Sequence, residues 1–101
     1  MGRLSNRVAN YTGKGKGCST AMEAFYQQEN CYNTLFDLRC EKKKSWGTDW
    51  YDYARYGHYA EARKILINRP ACLAKTVALQ CIEDLEWLKE EMVHLEKKVG
   101  V

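Results

Sequence analysis

From Ala71 onward, apolar residues recur at alternating steps of three and four: Ala71, Ala74, Ala78, Cys81, Leu85, Leu88, Met92, Leu95 and Val99. This spacing fills the a and d positions of successive heptads and does not fit the two-residue period of a strand. It predicts a continuous helix over residues 70–98, opened by Asn68-Arg69-Pro70, a capping residue and a proline suited to the first turn. Small residues occupy the first half of the seam, where Val77 and Ile82 broaden the stripe for packing inside a domain. Leu85, Leu88, Met92 and Leu95 form a bulkier second half, expected to project as a coiled-coil arm and to pair with another copy or another chain.

Two shorter helices are predicted ahead of this rod. Thr20 with Glu23 makes a capping box for a helix over about 20–44. Its broad apolar face carries Ala21, Ala24, Phe25, Cys31, Tyr32, Leu35, Phe36 and Leu38, with Glu23, Asn30, Thr34, Asp37 and Glu41 opposite. Lys42, Lys43 and Lys44 fall in the last turn, where cations suit the negative end of the helix dipole. A turn at Ser45 to Gly47 leads to a second helix over about 48–68, capped by Thr48 or Asp49. The expected fold is therefore all-α, a three-helix bundle or helical hairpin with a long coiled-coil-like C-terminal helix. Residues 19–101 form its single domain, and residues 1–18 a flexible basic arm.

That arm carries Arg3, Arg7, Lys14 and Lys16 and no acid, so it accounts for the net charge of +3. Its run Gly13-Lys14-Gly15-Lys16-Gly17 lacks the Ser or Thr and the preceding strand that a phosphate-binding loop requires. No stretch has the apolar length of a membrane helix, and no apolar block follows the first basic residues, so neither a membrane span nor a secretory signal is expected. Five cysteines then read as reduced thiols in a cytoplasmic protein. Cys31 and Cys40, like Cys72 and Cys81, are nine steps apart, which on a helix is about 900° and puts the two thiols on opposite sides. This separates them from the twin Cx9C hairpins, whose helices are bolted by paired disulfides. The segment Gly57-His58-Tyr59-Ala60-Glu61-Ala62 resembles the second helix of a tetratricopeptide repeat over six residues; with no second copy, no solenoid and no peptide-binding role are carried over.

Half of the chain's aromatic residues lie in Lys42 to Tyr59. A middle helix touching two neighbours accounts for most of them as core. One strip remains for solvent, with Arg55, Tyr59 and Arg63 at i, i+4 and i+8, two guanidinium groups flanking a ring. Together with Trp46 and Lys42 to Lys44, this strip is the expected partner-binding surface. Catalysis is not expected: no motif surrounds His58 and the cysteines, and Asp37, Glu41 and Lys43 ride the polar end of a helix rather than a sheet that could hold metal. No cofactor or metal is expected. The sequence points to a small adaptor, regulator or inhibitor, of the kind phages make as accessory proteins, that binds a larger protein; the alternative is a DNA- or RNA-binding protein using Arg3, Arg7, Lys14, Lys16 and the basic strip.

Overall fold

The computed structural model describes residues 6–11 and 20–99, with side chains described as far as His94. Among these residues the fold is all-α, with six helices and no strand. They are α1 (Asn6–Ala9), α2 (Ala21–Glu41), α3 (Lys43–Trp46), α4 (Asp49–Arg55), α5 (Tyr59–Ile67) and α6 (Leu73–Val99). No helix among the described residues is long and apolar enough to cross a membrane.

Ala71 is exposed ahead of the last helix, but from Ala74 the first half of the heptad seam performs as expected. Ala74, Ala78 and Cys81 are buried with Val77 and Ile82, and they face α2, whose Ala24, Cys31, Leu35 and Leu38 complete the layer. Small side chains on both helices permit a close approach of the two backbones. The second half departs from expectation. Leu85 and Leu88 are fully buried in the same core rather than projecting, and Met92 is partly buried against it. The domain is longer than the sequence suggested because α1 adds to it.

Residues 6–11 also correct the expected arm. Val8 is fully buried, Arg7 Nε lies 3.4 Å from Asp37, and Tyr11 packs on the core. The buried Val8 side chain and the polar contacts of Arg7 and Tyr11 hold the segment onto α2 and α6. Arg3, Lys14 and Lys16 lie outside the described residues.

The predicted second helix is two helices. At Tyr56-Gly57-His58 the His58 N–H donates to Tyr53 O at 2.8 Å and the Gly57 N–H to Ala54 O at 3.1 Å, the pair of bonds that closes a Schellman motif. Gly57 takes φ of +85°, a conformation that favours glycine. Residues before and after the turn therefore keep no common helical phase. Tyr56 and Ile67 are exposed, whereas Leu66 is fully buried. Gly57 also ends a helix rather than lying in one, which removes the local repeat resemblance.

The start of the last helix shifts as well. Asn68 is the C-cap of α5, its amide donating to Lys64 O at 3.1 Å, and α6 begins only at Leu73. Lys75 Nζ donates to Ile67 O and Arg69 O, placing a cation on the carbonyl end of α5. Thr20 does cap α2, accepting from the Glu23 N–H at 3.1 Å. Buried Thr34, expected on the polar side, satisfies its hydroxyl by donating to Asn30 O at 2.7 Å.

Because nothing lies within 4 Å of a Cβ added at Gly57, the cost of Gly57→Ala is conformational alone. We expect destabilisation of about 1 kcal/mol, a fall of roughly 4–8 °C in the melting midpoint. Leu88→Asp is expected to abolish cooperative unfolding by placing a carboxylate in the core. Circular dichroism checks both; a folded Leu88→Asp chain that changes only its mass in light scattering would restore the projecting seam.

Candidate functional site

The turn at Gly57 breaks up the expected line of Arg55, Tyr59 and Arg63. Tyr59 is only 8% exposed, and its hydroxyl lies 3.0 Å from that of Tyr32. Burial and this bond hold its pKa well above the ordinary phenol value. Arg63 forks onto Glu86 of α6, with one N–H···O contact of 3.2 Å and a second, shorter one. The bond to Glu86 pushes the Arg63 guanidinium further up. Both residues therefore join α5 to its neighbours. Trp46, also expected to meet a partner, is buried edge-on against Trp50 at 5.9 Å between ring centres, with Lys42 Nζ 5.8 Å from its own centre. Lys43 and Lys44 are exposed on α3, and Leu95 lies outside the residues whose side chains are described.

Of the expected line only Arg55 keeps its exposure, and the structure gives it different company. Its guanidinium lies 5.4 Å from the centre of the Tyr32 ring. Arg39 sits 5.9 Å from the Phe36 ring centre and 5.6 Å from that of Tyr51. Phe36 and Tyr51 meet edge-on at 6.0 Å. These layers of cation and ring border an open trough of about 460 Å³ between α2 and α4. Phe25 and Phe36 mark its two ends along α2, Tyr32, Glu29 and Asn33 lie between them, and Tyr51 and Arg55 form the α4 side.

The local reason is the width of the apolar arc on α2. Phe25 follows Ala24 and Phe36 follows Leu35, so each ring is one residue, about 100°, round the helix from a core position. Ala24 and Leu35 are fully buried, whereas Phe25 is 44% and Phe36 46% exposed. Met22 and Tyr26 on α2 are exposed as well. Sequence reasoning placed Phe25 and Phe36 in the core. The available signal was an apolar arc wider than one neighbouring helix can cover.

An apolar face rimmed by charge can hold a protein segment, and layered arginine and tyrosine resemble the composition of binding hot spots. Neither Arg39 nor Arg55 has a carboxylate partner among the described residues. The chain matches no protein-family model, no curated protein and no solved structure. What can be said of the site therefore rests on its own residues.

If these rings are surplus to folding, Phe36→Ala should cost about 1 kcal/mol or less, while Leu35→Ala, one position earlier, should cost about 2–5 kcal/mol. Urea titration of the two variants measures the contrast.

Proposed function

We propose that this chain is a non-enzymatic interaction module, a cytoplasmic adaptor, regulator or inhibitor that docks onto a larger protein through the trough between α2 and α4. The observation that carries this reading is the pairing of half-exposed rings with two arginines that have no acidic partner among the described residues. Its occupant is a segment of the larger protein with apolar anchors and carboxylates. From Phe25 to Phe36 the axial rise is about 16 Å, roughly three helical turns, which suits an amphipathic helix laid along the trough. Carboxylates on its flank would meet Arg39 and Arg55, and Lys43 and Lys44 add positive charge beyond the C-terminal end of α2. Electrostatic match of this kind sets register and encounter rate, while the buried rings supply most of the affinity.

A nucleic acid is the alternative occupant, since cations on aromatic rings also suit stacked bases. It is the weaker reading because two of the expected phosphate contacts are engaged elsewhere, Arg7 with Asp37 and Arg63 with Glu86. Coiled-coil pairing through the final helix would have to rely on residues beyond the buried Leu85 and Leu88.

The test compares capture from extract of the native cell by the wild type, by Phe25→Ala with Phe36→Ala, by Arg39→Ala with Arg55→Ala, and by Arg63→Ala. A protein retained by the wild type and by Arg63→Ala, and weakened at least about tenfold in both trough variants, is the expected result. It should survive nuclease. Equal retention by the trough variants would remove the proposed surface. Release by nuclease, with a steep fall in binding as salt rises, would replace the protein partner with nucleic acid.

A further inference from the structure

The two ends of the trough between α2 and α4 carry opposite charge. Phe25, Glu29, Tyr32 and Phe36 follow one another along α2 at steps of three and four, so they stand on one face. Among the described residues that line the trough, Glu29 is the only acid. It is exposed, lies in the half nearer the start of α2, and belongs to neither ion pair among the described residues. The cations lie further along. Arg55 reaches from α4 over the Tyr32 ring, one turn beyond Glu29 on the opposite wall. Arg39 leans back over Phe36, about two turns or 10 Å beyond Glu29. Exposed Lys43 and Lys44 continue the positive end into α3. Asp49 and Asp52, the acids in the first turn of α4, are not among the lining residues.

The fold does not call for this order. The dipole of α2 favours Arg39 in its last turn, but that effect is confined to the terminal turns, and Glu29 stands two turns inside the helix. Nor do the apolar anchors give the trough a direction, because both of its ends along α2 are half-exposed phenylalanines. Charge alone distinguishes one end from the other.

On the reading that this trough is the docking surface, we propose that it accepts its helical segment in one direction only, antiparallel to α2, with an acidic first turn over Arg39 and Lys43 and a lysine or arginine of the last turn beside Glu29. A helix carries such a pattern at no cost, since acids stabilise its first turn and bases its last. In the reverse direction the segment has two choices. It can match the trough with bases in its first turn and acids in its last, against its own dipole, or keep the favourable order and set like charges against each other at both ends. The rings then supply affinity in either direction, and Glu29 with Arg39 decides between them.

The experiment presents the full chain with a displayed library of helices about 14 residues long, apolar at every third or fourth position, the first and last turns each varied among glutamate, alanine and lysine. The wild type should retain binders at least about tenfold above the Phe25→Ala, Phe36→Ala double variant. These binders should be enriched roughly threefold or more in glutamate in the first turn and lysine in the last. Glu29→Lys should keep the first-turn glutamate and turn the last-turn preference from lysine to glutamate, while Glu29→Gln should keep the first preference and erase the second. If binders need the two rings but their end charges are unselected or reversed, or if Glu29→Lys selects the same last turn as the wild type, the direction is overturned and the docking surface stands. If no library member binds the wild type better than the double variant, the docking surface and the direction fall together.

Discussion

The contact between α2 and α6 is the constraint on which the other elements depend. A long helix with small residues along one stripe can be approached closely, and α2 meets it with Ala24, Cys31, Leu35 and Leu38. Once these two are paired, their shared flanks are apolar. Trp50 and Ala54 of α4, Ala62 and Leu66 of α5, and Val8 of α1 join the same core. Each fully buried aliphatic side chain contributes about 1.5–3 kcal/mol, so Val8 gives even the short α1 a reason to stay docked.

The same pairing explains why the crossing carries polar groups. Cysteine is small enough for a close approach, and Tyr11 brings a hydroxyl to it from the N-terminal segment. Asp84, nearly buried, is tolerable there because Tyr11 and Gln80 both donate to it. The residues that let the helices meet thus also carry the polar contacts that tie the N-terminal segment to them.

On the opposite flank of α2 the logic reverses. Tyr32 forms the boundary, its hydroxyl near Tyr59 and its ring under Arg55. Beyond it, Phe25 and Phe36 remain half-exposed, and Arg39 covers Phe36 and Tyr51 as a cation on their faces. Such contacts are worth about 0.5–1 kcal/mol at an exposed site, enough to order the arginine and little enough to be exchanged for a partner's carboxylate. The proposed docking surface is the part of the apolar arc that α4 leaves uncovered.

Periodicity along the chain determined the all-α class, the Thr20 cap, the last helix and the opposed placing of Cys31 and Cys40 on α2, since one is buried and the other exposed. These follow from local geometry, in which 100° per residue fixes which side chains share a face. The tertiary structure decided which faces are covered. A wide apolar arc on α2 does not say how far a neighbour will extend over it, so Phe25 and Phe36 became surface. Gly57 could be read as a small helical residue or as a left-handed stop, and the Schellman bonds chose the stop, separating Arg55 from Tyr59 and Arg63. Leu85 and Leu88 fit a projecting seam as well as a core, and packing made them core. The Tyr11–Asp84 bond joins residues remote in sequence, and no spacing within a helix records it.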